Sequence, residues 1–164
     1  MFLGSIAAVA EVIDRPASEQ VRGALESALR YFRQAAPKHT SDEEESLFPR
    51  LRDITDPNLA SAMSKLDALE EEHRWANPLH DVLEQLGTKF LTEGDLTLEE
   101  IERFRAAIRE LGLMYARHIS IEDTIVFPWA SRVLSEEQKS AIADEMAGRR
   151  RVKLVVIGNT PHAQ

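Results

Sequence analysis

His39-Thr40-Ser41-Asp42-Glu43-Glu44-Glu45-Ser46-Leu47-Phe48-Pro49 and His118-Ile119-Ser120-Ile121-Glu122-Asp123-Thr124-Ile125-Val126-Phe127-Pro128 are one phrase written twice. Both read His-x-x-x-Glu-acid-x-x-aliphatic-Phe-Pro. In a helix, residues i and i+4 lie one turn apart on the same face, so each copy presents an imidazole and a carboxylate to one region. A third histidine, His73 in Glu70-Glu71-Glu72-His73, lies between the copies.

The second copy continues a long seam. Thr97 with Glu100 reads as a capping box, and the apolar positions that follow are Ile101, Phe104, Ile108, Leu111 and Tyr115. His118, Glu122 and Ile125 extend them in steps of three and four. His118 and Glu122 therefore stand where the pattern demands aliphatics. A carboxylate buried there alone costs several kcal/mol, and a metal cation supplies the missing charge.

The first copy follows a stripe of Val21, Leu25, Ala28, Phe32 and Ala35 in a helix that starts near Ser18. Pro37 interrupts it, since an interior proline loses a hydrogen bond and collides with the preceding turn. Two readings follow. Either the helix runs through Pro37 with a kink, placing His39 and Glu43 on one face, or Thr40 or Ser41 caps a new helix, closed by Glu43 or Glu44. In the second reading the acidic run is only a favourable N-terminal turn.

Outward from the copies, residues 3–13 have helical spacing for about three turns, ended by Asp14-Arg15-Pro16. Asp56-Pro57 reads as the start of a third helix carrying Leu59, Met63, Leu66, Leu69 and His73, with Asn77 and His80 on the same face. Pro78 is expected to kink or end it, and Gly87 and Gly94-Asp95 fall in a loop. Ser135 with Gln138 caps a short final helix, ended by Gly148. Little suggests strands before the tail. The expected fold is all-α, an up-down antiparallel four-helix bundle over residues 1–147 with a short first helix. Residues 148–164, basic at Arg149-Arg150-Arg151 and then apolar, form a tail read as a strand, a partner-binding arm or a disordered end.

The chain of 164 residues suits one domain. It has no cysteine, which excludes disulfides and thiolate or Fe–S sites. A metal must use His nitrogen and carboxylate oxygen, a set that suits iron, manganese or zinc. The net charge of -8 argues against nucleic-acid binding. No apolar run approaches the roughly 20 residues of a membrane span. Glu11 and Asp14 follow the apolar start and no basic segment precedes it, so a signal peptide is not expected and a cytoplasmic protein is.

With these residues in view, the chain resembles the hemerythrin-like proteins with an HHE cation-binding domain. The resemblance rests on the two copies and on Glu72-His73, and covers roughly residues 1 to 147. It implies a di-iron centre in which Glu43 and Glu122 bridge, His39 holds one iron, and His73 and His118 hold the other. It also implies reversible O2 binding, iron or oxygen sensing, or defence against nitric oxide or peroxide. The pattern departs from the family twice. A first-helix ligand histidine has no counterpart before His39, so either the protein begins upstream of Met1 or the ligand is lost. One turn after His73 stands Asn77, a poor iron ligand, and Glu70 is a candidate substitute. His80 is left as a structural or outer candidate, too far along the helix to share an ion with His73.

Three functions compete: a protein that binds or senses O2 or a related small ligand, or iron itself; a di-iron enzyme acting on peroxide or nitric oxide; and a metal-free interaction module. The expected metal ligands are His39, Glu43, His73, His118 and Glu122. The expected cofactor is two non-haem iron ions, with zinc or manganese as alternatives. Small ligands such as O2 are the expected partners.

Overall fold

The computed structural model describes residues 2–15, 18–54 and 60–156. Its helices are α1 (Phe2–Val12), α2 (Glu19–Gln34), α3 (Ala36–Ser41), α4 (Phe48–Arg52), α5 (Ala60–Glu93), α6 (Leu98–Ile121), α7 (Phe127–Val133) and α8 (Glu136–Val156). Two π-helical turns, Asp42–Leu47 and Glu122–Val126, join α3 to α4 and α6 to α7. There is no strand among the described residues, and no helix long and apolar enough to cross a membrane.

The starts follow local chemistry. Ser18 caps α2 by accepting from the Val21 amide at 3.3 Å. Thr97 and Glu100 form the expected reciprocal capping box at α6. The Ser135 amide donates to Gln138 at 3.0 Å, and Ser135 Oγ accepts from the Gln138 amide at 3.2 Å. Gly94 leaves α5 with φ of 89°, a left-handed conformation that glycine adopts without a Cβ penalty.

Three expectations about breakers need correcting, whereas at Pro37 the first of the two readings holds. The helix carries on, with α2 yielding for one residue at Ala35, α3 resuming with Pro37 as its second residue, and no side-chain cap at Ser41. There the missing N–H falls among groups a helix start leaves unpaired anyway. Pro78 neither ends nor interrupts α5, which continues to Glu93. Burial of Ala76, Leu83, Leu86 and Phe90 around it outweighs the roughly 3 kcal/mol that an interior proline costs. Gly87 is helical rather than looped. A Cβ there would lie 3.0 Å from Leu29 Cδ1, so the glycine lets α5 approach α2. Gly148 does not end the last helix, which runs on to Val156. The expected cap at Asp56-Pro57 lies outside the described residues, as do residues 157–164.

α1 packs on α2 and α6, α2 on α5, and α5 on α6. Arg105 of α6 fastens the end of α1, donating to the Ala10 carbonyl at 2.8 Å and pairing with Asp14 at 3.3 Å. The apolar residues segregate into two clusters. One holds Leu25, Phe32, Ala36, Ala76, Leu83, Leu111 and Met114 among others. The second holds Leu47, Phe48, Leu51, Leu66, Leu69, Val126 and Trp129 among others. Three chain segments, α2 to α4, α5, and α6 to α7, each change cluster at one place. The crossings fall between Ala36 and Leu47, between Leu69 and Ala76, and between Met114 and Val126. His39, Glu43, His73, His118 and Glu122 all lie in those intervals, so a polar layer separates two apolar cores.

Candidate metal centre

The Phe-Pro ending of each copy has a structural meaning. A proline at position 49 or 128 cannot donate to the carbonyl four residues back, and its ring crowds that carbonyl. The backbone widens instead. The Phe48 amide reaches the Glu43 carbonyl and the Phe127 amide reaches the Glu122 carbonyl, each five residues back. The extra residue shifts the register beyond each turn. Beyond α6, Val126, not Ile125 as the seam predicted, enters the core at 1% exposure, while Ile125 is only half-buried.

The structure brings all five expected residues together. His39 Nε2 lies 3.2 Å from Glu43 Oε1 and 3.9 Å from Glu122 Oε1. His73 Nε2 lies 3.2 Å from Glu43 Oε2 and 3.3 Å from His118 Nε2. His118 Nε2 lies 3.2 Å from Glu122 Oε1. Two ligand sets result, Glu43–His73–His118 and His39–Glu43–Glu122, each with its donor atoms within 4.8 Å of one another. Glu43 belongs to both.

The outer contacts fix two of the imidazoles. His73 Nδ1 meets Glu44 Oε1 at 2.8 Å, and His118 Nδ1 meets Glu72 Oε2 at 3.0 Å. Glu72 is held in turn by the Arg117 guanidinium, whose Nε donates to it at 2.9 Å. A carboxylate on Nδ1 places the proton there and leaves Nε2 as a lone-pair donor toward the centre. His39 has no such carboxylate among the described residues, and its side chain is 48% exposed.

The electrostatics are those of a site built for cations. Glu43 and Glu122 are 2% and 3% exposed. Both Glu43 oxygens and Glu122 Oε1 are buried without a hydrogen-bond partner. Ring nitrogens of His39, His73 and His118 each lie 3.2 Å from one of these oxygens. Burial, and then the adjacent Glu122, push the Glu43 carboxyl far above the usual range. Burial acts the same way on Glu122, but His118 outweighs it and holds Glu122 low. Burial lowers His118, yet Glu122 and Glu72 raise it overall. Burial lowers His39, with His73 and His118 adding to the effect. Its exposure to solvent tempers that shift. Without a cation the carboxylate pair must share a proton. A His3Glu2 set with orphaned oxygens fits iron, manganese or zinc.

Other candidates fall elsewhere. Glu70 is tied to Arg52 of α4 and does not replace a ligand beside His73. His80 Nε2 meets the Tyr115 hydroxyl at 3.0 Å, and its ring stacks on Phe32. Asn77 lines a cavity of about 210 Å³ together with His73, Thr40 and Tyr115. Glu44, Glu72 and Arg117 were missed by spacing arguments. Glu44 and Glu72 could have been flagged as acids beside motif residues, but their pairing needs three helices brought together.

The family model described as "Hemerythrin HHE cation binding domain" matches residues 2–130. An uncharacterized protein of Haemophilus influenzae is 29% identical over 138 residues, spanning 83% of this chain and 73% of that protein.

Proposed function

The chain belongs to the hemerythrin HHE cation-binding family, and from that premise we propose that it is a cytoplasmic non-haem di-iron protein that binds or senses O2 or a related small ligand, or iron itself. In this reading α1, the rod from α2 to α4, α5 and the rod from α6 to α7 form an up-down four-helix bundle, with α8 added. His73 and His118 hold one ion, His39 holds the other, and Glu43 and Glu122 bridge them.

The observation that carries the proposal is Glu43. It offers one oxygen to each ligand set, is buried, and has no hydrogen-bond partner on either oxygen. Bound iron supplies redox chemistry and open coordination positions. The protein's own part is to hold Nε2 of His73 and His118 toward the centre through Glu44 and Glu72, and to exclude water with the apolar cores on either side. The cavity beside His73 gives a small molecule room next to the site, which supports ligand binding over a metal-free module.

The test is iron content after purification without chelators, with visible spectra before and after O2. Iron bound in near-stoichiometric amount, with a spectrum that changes reversibly under O2, is the expected result. Substoichiometric metal indifferent to Glu122→Ala would sink it. Peroxide consumption beyond one turnover per centre would move the reading to an enzyme.

A further inference from the structure

Three arginines converge on the first π turn, and two of them come from α8. Arg149 Nη1 pairs with Asp42 Oδ1 at 3.0 Å, and its Nη2 reaches Ser46 Oγ at 2.8 Å and Glu45 at 3.3 Å. Arg150 Nη2 takes the other Asp42 oxygen at 2.7 Å. Arg50 of α4 donates to the Ser46 carbonyl at 2.8 Å and makes a two-point pair with Glu145 of α8. Asp42 is only 3% exposed and Ser46 is fully buried. Among the described residues no arginine reaches the second π turn.

The matched family region ends at residue 130, and α8 begins at Glu136. Arg149 and Arg150 therefore come from a segment beyond it. Pro49 opens the π turn locally, but losing one backbone bond does not fix where the turn's side chains sit; tertiary contacts do. A buried Asp42 deprived of both cations is costly in place. The turn would relieve that cost by rotating Asp42 toward water, and that motion displaces the next residue, Glu43.

We propose that α8 is a clamp on the first π turn, in which Arg149 and Arg150 are positioning residues that hold Asp42 and so keep the Glu43 carboxylate where the two ligand sets meet. The inference rests on the metal-centre reading for its consequence. Arg150 is 54% exposed at its side chain, so the clamp is open to screening by salt.

The test compares the full chain with the double variant Arg149→Gln/Arg150→Gln and with Leu83→Ala, which loosens the other apolar core and touches neither arginine. Hydrogen exchange on the metal-free proteins reads the clamp itself. Release of Fe(II) to a chelator, at low and high ionic strength, reads its consequence. The amides of residues 43–48 are expected to exchange at least about tenfold faster in the double variant but not selectively in Leu83→Ala. Iron release should quicken by a similar factor, and should rise with salt in the unaltered chain but hardly in the double variant. Unchanged exchange at 43–48, or the same exchange in Leu83→Ala, overturns the clamp. So does faster exchange with unaltered iron release. If the unaltered chain takes up no iron, the metal reading fails, and the exchange result alone still decides whether α8 holds the turn.

Discussion

His118 is buried, and its Nδ1 rests on a carboxylate that an arginine holds in place, whereas His39 is half exposed with no carboxylate behind it among the described residues. The contrast extends to the phenylalanines, but with the order reversed: Phe48 is fully buried and Phe127 is 40% exposed. Yet the two copies share a sequence pattern and the same backbone, a turn of α-helix followed by a π turn that ends in Phe-Pro. Local sequence thus sets the backbone device. The helices around it decide how firmly each imidazole and each aromatic ring is held.

The largest effect expected from this contrast is at the aromatic rings. Phe48→Ala should destabilise the metal-free protein by about 3–5 kcal/mol, and Phe127→Ala by less than about 1, measured by chemical denaturation. Similar losses at the two sites would break the comparison. Next come the carboxylates behind the imidazoles. Glu72→Ala should weaken metal binding about 10- to 100-fold in a titration, because it removes the acceptor that orients His118.

The shared carboxylate gives a pH signature. The folded-state pKa of Glu43 lies above its ordinary value of 4.5. Its contribution to stability is therefore full below about pH 4.5 and is lost as pH rises toward the raised value. Glu122, held low, acts in the opposite sense: its contribution is full above about pH 4.5 and is lost as pH falls below that value. Metal-free protein should thus lose stability between about pH 5 and 8, by up to about 1.4 kcal/mol per unit from Glu43, with raised His118 acting in the same sense and lowered His39 in the opposite one. The metal-loaded protein should gain over the same range, because ions displace the shared proton and bind neutral histidine. Parallel thermal-unfolding profiles with and without metal would contradict this. The smallest effect is at the exposed ring: His39→Ala should shift metal-free stability by less than about 0.5 kcal/mol.

The second copy was readable because polar residues occupied positions of an otherwise apolar seam. The all-helical fold was readable from periodicity and from the capping pairs Thr97–Glu100 and Ser135–Gln138, which depend on local bonding alone. The π turns were not, because spacing arguments assume uniform α-helical winding, and that assumption placed Ile125 where Val126 belongs. Gly87 and Gly148 were misread for a related reason. A glycine's preference for turns is worth less than the packing of α5 on α2, or than the ion pairs that hold α8. Glu70 looked suitable by its distance from His73 along the helix, but Arg52, from another helix, claims it. Glu44, Glu72 and the arginines of α8 act only through contacts between segments distant in sequence.

The most direct test of the account is the number of metal ions that Glu43 supports. Protein loaded anaerobically with Fe(II) and freed of excess should retain two ions per chain. Glu43→Ala should retain none, because the change removes a ligand from both sets at once. Retention of two ions in Glu43→Ala, or of one ion or none in the unaltered chain, would contradict a shared di-iron centre.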